Sequence, residues 1–322
     1  MIKRTTIFVL QFSFLLQANA QQSLSKNMRG SNPLKTAGMN FKPTAATNEN
    51  ADSIAVRITK AAGNVYFLDC INGFGGGNVA ASVGEDGILL VDDMYSSMSA
   101  KIESSLRTIS PKPVKIILNT HFHRDHIGGN EAFNTSAVIV GHENIGKRLI
   151  QNNNESDPTI ALLPKVTFAD SLVINFNGEA IQMIHFANSH TDGDAMIYFT
   201  KSKVLHLGDM FFFEMFPAVY AEGGGNIKQL VTSLEKIITR IPPDAIIVPG
   251  HGKLATMQDL KTYVVMLKET ITIIETKIKE GQTLVQVQNE KVLAKYDQLG
   301  NGGAQTTAQY TAMLYKLLST NK

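Results

Sequence analysis

Residues 119–129 read "NTHFHRDHIGG". Three of the chain's eight histidines, and an aspartate, fall within the six residues from His121 to His126. The preceding "KIILNT" is a buried-strand pattern and the following "GGNEAF" can begin a helix. The motif therefore lies at a strand's exit, where a rigid scaffold projects side chains into a cleft. In a locally extended segment His121 and His123 point the same way, because side-chain direction alternates with a period of two. Together they can hold one metal. Asp125 and His126 come where the chain turns and face a neighbouring point, which suits a second divalent cation. Gly128 and Gly129 let the backbone turn sharply beneath them. The stretch reads as half of each of two adjacent metal sites.

Half-sites require ligands from elsewhere. "NSHTDGDAMIYF" places His190 in a polar turn before a strand, "VLHLGDMFF" places Asp209 at a strand's end, and "IIVPGHGKL" places His251 at another. A single rim can gather all three. Short apolar, β-branched segments predict strands at 65–70, 79–83, 88–91, 114–118, 137–140, 172–176, 181–186, 195–199, 204–207 and 245–248. Helical spacing predicts helices over 97–109, 145–151 and 227–241, then a long one over 257–279 ended by Gly281, and two more over 283–299 and 304–318. The mixture is α/β, without internal repeats.

The ordered series His-x-His-x-Asp-His, lone His, Gly-Asp and Gly-His-Gly resembles the signature of the metallo-β-lactamase superfamily of metal hydrolases, over about Ile54 to Leu254. The resemblance implies a four-layer αβ/βα sandwich with two mixed β-sheets and outer helices, followed here by C-terminal helices. Carried over residue by residue, it implies that His121, His123 and His190 bind a first metal and that Asp125, His126 and His251 bind a second, with Asp209 bridging both. Asp92, in "ILLVDD", matches the family's aspartate that braces the histidine loop. The nitrogen and oxygen donor set suits two zinc ions per chain, and also admits iron or manganese.

Other features take plainer readings. His142, His185 and His206 lie in or at the ends of apolar strands and read as structural. Cys70 reads as a small buried hydrophobe. Asp192 and Asp194 orient His190 or serve their turn. "NGFGGGN" (72–78) looks like a nucleotide-binding glycine loop but precedes a strand-like run rather than a helix, so it reads as a flexible connection with Phe74 at its tip over the site. "MFFFEMF" (210–216) reads either as an apolar substrate wall or as a core strand beneath the site.

At the N-terminus, Lys3 and Arg4, an apolar run from Thr5 to Leu16 and Ala18-Asn19-Ala20 have the layout of a secretory signal peptide. The expected organisation is a signal peptide over 1–20, a Ser/Asn/Thr-rich linker over 21–50, a catalytic domain over 51–255 and a helical extension over 256–322. The protein is then exported, periplasmic or secreted, with no stable membrane insertion after cleavage. Residues 1–20 carry two of the 30 Lys and Arg and none of the 28 Asp and Glu, so the remainder is neutral. Neutrality without a basic run argues against a nucleic-acid partner and for a small-molecule substrate. With one cysteine there is no internal disulfide, and oligomeric state is left open.

The resemblance implies chemistry through water shared between two cations, which is largely hydroxide at neutral pH. Asp125 would orient it and pass a proton to the leaving group. By the same resemblance, zinc β-lactamases carry Cys or Ser where this chain has Asp209, whereas lactonases and thioesterases of the glyoxalase II type carry Asp. At Phe212 the zinc β-lactamases commonly carry a lysine that grips the substrate carboxylate, so Phe212→Lys is expected to lower KM for penicillins. The leading expectation is an exported dinuclear zinc hydrolase opening a cyclic amide or ester. The alternatives are a thioesterase of the same fold and, from another class, a mononuclear-iron oxidoreductase handling sulfur.

Overall fold

The computed structural model describes residues 51–151 and 158–319, so the segments expected to be signal peptide and linker lie outside the described residues. Seven strands form one sheet in chain order: β1 (Ala55–Ala62), β2 (Val65–Ile71), β3 (Val79–Gly84), β4 (Gly87–Val91), β5 (Val114–Leu118), β6 (Val138–His142) and β7 (Val166–Phe168). Pairing is antiparallel from β1 to β4 and parallel from β4 to β7. A second sheet runs in the order β13-β12-β11-β10-β9-β8, from β8 (Ser171–Phe176), β9 (Glu179–His185), β10 (Ala195–Phe199), β11 (Val204–Phe212), β12 (Ile246–His251) and β13 (Ala255–Thr256). Only β11 and β12 pair in parallel there.

The central strands are apolar on both faces, and their alternation sorts residues into layers. Leu89 and Val91 of β4 meet Ile197 and Phe199 of β10 between the sheets. Ile88 and Leu90 point outward to Ile102 and Leu106 of α1 (Ser99–Arg107). Past β5 come two single turns, α2 (Arg124–Ile127) and α3 (Asn130–Phe133), and then α4 (Glu143–Gln151). Met196 and Tyr198 face the helices covering the second sheet, α5 (Ile227–Arg240), α6 (Met257–Lys279) and, beyond the short α7 (Leu284–Asn289), α8 (Thr307–Ser319). The layers run helix, sheet, sheet, helix, as the resemblance implied.

Several elements differ from their sequence expectations. The edge strands β1, β7 and β13 have no expected counterpart, because β1 is half-exposed along most of its length and the other two are only a few residues long. β11 continues past Leu207 to Phe212: Gly208, at φ 50°, bends the strand without ending its pairing with β12. The helix expected over 283–299 breaks at Lys291, φ 50°, into α7 and a 3₁₀ segment at Ala294–Asn301. By contrast α6 has the expected ends, with a capping box from Thr256 and Asp259 at its start and Gly281 at φ 76° after its end.

One apolar cluster crosses position 255, joining Leu205 and Phe211 of β11 to Leu267 of α6 and Leu314 of α8. Within it Tyr310 stacks on Phe216 with ring centres 4.2 Å apart, and its hydroxyl lies 3.0 Å from Thr270 Oγ1. Tyr310→Ala is therefore expected to lower unfolding stability by about 3–5 kcal/mol in a single urea transition. A separate early transition would show that the C-terminal helices fold apart from the sandwich.

Candidate metal centre

Most of the expected ligands sit at or just beyond a strand's end, and Asp209 lies within β11 just past its bend at Gly208. His123 is extended, with φ −69° and ψ 142°, and Arg124 opens α2 immediately after it. His121 thus lies in the bend after β5, His123 on an extended residue, and Asp125 and His126 on the helical turn. From the second sheet come His190, in the turn before β10, Asp209 within β11, and His251, the last residue of β12. All seven converge as two adjoining groups, His121, His123, His190 and Asp209, and Asp125, His126 and His251, with the ligand atoms of each group within 4.8 Å of one another.

In the first group His123 Nδ1 lies 3.1 Å from His121 Nε2 and 2.9 Å from His190 Nε2. Asp209 Oδ2 lies 3.4 Å from His190 Nε2 and 3.7 Å from His121 Nε2. Its other oxygen, Oδ1, faces the second group, 3.0 Å from His126 Nε2 and 3.3 Å from His251 Nε2. Donor atoms around a tetrahedral cation with bonds of about 2.0–2.1 Å stand about 3.3 Å apart, which these spacings match. Two rings are held from outside the centre: His190 Nδ1 meets the carbonyl oxygen of Ala218 and His126 Nδ1 meets Asp92 Oδ2, which aims both Nε2 atoms inward. Asp125 Oδ2 and Asp209 Oδ1 are buried without a hydrogen bond, their imidazole neighbours notwithstanding. Lone pairs facing lone pairs in a buried site fit a cation, and the arrangement is a His/Asp metal-binding site.

Electrostatics reinforce this. Burial and the neighbouring His190 push His123 down to about 3, and burial with His126 holds His121 well below the usual imidazole range. Burial also opposes charge on His251, but Asp209 and Asp125 outweigh it and carry its pKa up to about 9. The same carboxylates, with Asp92, raise His126 well above its ordinary value against the same burial. The second group therefore draws positive charge, supplied by a proton in the bare polypeptide and by a cation when one competes for the same lone pairs.

The supports are buried too. Asp92, at φ 61° in a left-handed conformation that aspartate tolerates, accepts Thr120 N–H at 2.8 Å as well as His126 Nδ1. Asp194 accepts the main-chain N–H groups of His190 and Thr191 at 2.6 and 2.9 Å, whereas Asp192 pairs with Arg148 of α4. His206 and His142 each meet main-chain groups at both ring nitrogens, and His142 stacks on His185 with centres 3.6 Å apart.

The loop over 72–78 does not hang free. Gly77 N–H donates to Asp125 O at 2.8 Å, Asn78 N–H to Gly250 O at 2.7 Å, and the Asn78 amide to the carbonyls of Pro249 and Gly252 at 2.9 Å each. The loop ties the ligand-bearing turn of the first sheet to that of the second and lays Phe74 on His251, ring centres 5.7 Å apart. Phe212 stacks on His251 from another side at 5.2 Å and is fully buried, so it meets no substrate. A lysine there would be buried beneath His251, and Phe212→Lys costs stability instead of adding a carboxylate grip. Phe211 and Phe216 are buried as well, so "MFFFEMF" is mostly core. Sequence reasoning missed Tyr95, packed edge-on against Phe74 at 6.0 Å, whose hydroxyl is kept protonated by burial and by the charges of Asp125 and Asp209. Its only sequence signal is its place three residues after Asp92.

The Metallo-beta-lactamase superfamily profile matches residues 72–251, more than half of the chain. The chain belongs to the metallo-β-lactamase superfamily. Among solved structures, a metallo-β-lactamase from Pontibacter korlensis superposes with a TM-score of 0.56 over 66% of this chain and 99% of its own, at 20% identity. DIM-1 metallo-β-lactamase does so with 0.55 over 67% and 98%, also at 20%. These likenesses are of the superfamily fold. The alpha subunit of 2,4-dinitroanisole O-demethylase from Nocardioides sp. (strain JS1661) is 27% identical over 134 residues, 40% of this chain and 39% of its own length. A linear primary-alkylsulfatase from Pseudomonas sp. (strain ATCC 19151) is 24% identical over 213 residues, 52% and 40%. A hydroxyacylglutathione hydrolase from Polaromonas sp. (strain JS666 / ATCC BAA-500) is 27% identical over 156 residues, 46% and 53%. The chain thus spans between 39% and 53% of the length of these relatives.

Two sets of variants test the geometry by elemental analysis. Asp209→Ala is expected to weaken metal binding at both groups, since each carboxylate oxygen faces one, whereas His251→Ala weakens the second and spares the first. Equal metal loss in His251→Ala and Asp209→Ala would deny the bridge. Separately, a Cβ on Gly77 would fall 2.2 Å from His126 Cε1. Gly77→Ala is expected to displace that ring and weaken metal binding at the second group with its circular dichroism unchanged, and unchanged metal content would show that the loop yields instead.

Proposed function

We propose that the chain is a dinuclear zinc hydrolase that opens a neutral cyclic ester or amide of a small molecule. The observation that carries this reading is the Asp209 carboxylate, which turns one oxygen to each group of imidazoles. His121, His123 and His190 would hold one cation, and Asp125, His126 and His251 the other. Bound there, two divalent cations supply Lewis acidity, lowering the pKa of water toward neutrality and polarising a carbonyl oxygen. Asp125, buried with Oδ2 3.3 Å from His251 Nε2, is placed to orient the attacking water and to carry its proton to the departing oxygen or nitrogen. Phe74 and Tyr95, both half-buried, line the approach beside His251 and keep bulk water from that flank.

A second reading is thioester cleavage. It is favoured by the resemblance to two hydroxyacylglutathione hydrolases, 27% and 28% identical, from Polaromonas sp. and Prochlorococcus marinus (strain MIT 9301). Export belongs to the proposal as well, resting on Lys3, Arg4, the apolar run and Ala18-Asn19-Ala20.

The deciding experiment assays the zinc-loaded protein on lactone, β-lactam and thioester panels. The cyclic-substrate reading expects kcat/KM for the best lactone or lactam to exceed that for the best thioester by at least about tenfold, which is ~1.4 kcal/mol in the barrier. The reverse order establishes the thioesterase. Failure on all three panels by protein carrying two metals rejects both.

A further inference from the structure

Thr120 stands where the two sheets meet. Its main-chain N–H donates to Asp92 Oδ1 at 2.8 Å and its hydroxyl donates to Asp92 Oδ2 at 2.7 Å, just past the end of β4. Its carbonyl accepts the N–H of Ala195, the first residue of β10 in the other sheet, at 2.9 Å. Gly208 of β11 closes the slot, since a Cβ there would fall 2.5 Å from Thr120 Oγ1 and 2.7 Å from its Cβ. The side chain is 1% exposed.

The direction of these bonds has a consequence for both metal groups. The hydroxyl proton goes to Asp92, so the oxygen is left to accept, and His121 Nδ1 lies 2.9 Å from it. His121 therefore carries its proton on Nδ1 and presents a bare Nε2 to the first group. Asp92 Oδ2 also accepts from His126 Nδ1 at 2.8 Å, which turns Nε2 to the second group.

We propose that Thr120 is a positioning residue that couples the two metal groups, its hydroxyl letting one carboxylate, Asp92, set the tautomer and ring plane of a ligand in each. The proposal rests on the dinuclear reading above. A cation in the first group fixes His121, and with it the hydroxyl and Asp92, so His126 is already oriented when the second cation arrives and that ordering cost falls only once. Outer partners of metal-binding histidines change metal affinity by about ten- to a hundredfold. A threonine that merely fills space would be replaced by its isostere valine without any effect on coupling.

The test titrates the metal-free full chain with Co(II), following the visible bands and counting metals by native mass spectrometry. At one equivalent, wild type is expected to divide mainly between chains with no cation and chains with two. Thr120→Val is expected to accumulate one-metal chains and to bind the second cation about ten- to a hundredfold more weakly, while Thr120→Ser restores the wild-type distribution. Circular dichroism checks folding, and if the valine variant does not fold, Thr120→Ala, which opens space instead of crowding it, carries the comparison. A hydroxyl-free variant that loads two cations as wild type does overturns the coupling and leaves the dinuclear reading standing. A serine variant that behaves like valine overturns it as well. Wild type that takes up only one cation overturns the dinuclear reading and the coupling together.

Discussion

Burying acceptors against acceptors is costly, and this protein does so deliberately around Asp209. Carboxylate oxygens and imidazole nitrogens face one another within a buried site, an arrangement worth several kcal/mol of penalty without positive charge between them. Only a rigid frame can hold such groups together, and the sandwich supplies it by ending strands of both sheets at one rim. The first sheet contributes a single dense segment after β5; the second contributes three separated residues. Neither sheet alone has a complete set of ligands for either group. The close packing between the sheets, Leu89 and Val91 against Ile197 and Phe199, is therefore part of the metal centre's geometry as much as of the fold's stability.

What could be read from the sequence was local. His121, His123, Asp125 and His126 announce themselves because six residues suffice to set their relative directions, and the strands that carry them are apolar on both faces. The ends of α6 were legible because caps are local chemistry. What escaped depends on neighbours far along the chain. Gly77 is an ordinary loop glycine until His126 is seen packed against it, and Phe212 resembles a cleft residue until the bend at Gly208 carries β11 onward and buries the ring against His251. Thr120 adjoins the motif, yet its role shows only once Asp92, far back in the chain, is seen at its hydroxyl, and Tyr95 acquires meaning only from Phe74 packed against it. The break at Lys291 was hidden because a helical apolar period continues through a residue whose backbone does not.

A superfamily fold leaves the substrate open, since the same metal frame serves many chemistries and the distinction lies in the residues around it. Here those residues are aromatic. His251 has a phenylalanine ring stacked on it from the glycine-rich loop and another from the core, so its motion is limited to the plane they leave. On the proposed reading, the rings of Phe74 and Tyr95 would meet a flat or apolar part of the substrate near the second group.

The ligands extend from His121 to His251 along the chain and come from both sheets. A newly made or partly unfolded chain offers a cation only the short cluster at His121 to His126, with no more grip than a histidine-rich peptide. Long-range closure of this kind is slow compared with local structure formation, so maturation of the centre is bound to come late in folding. The finished architecture, and not the motif that announces it, is then what brings the candidate ligands of both groups together.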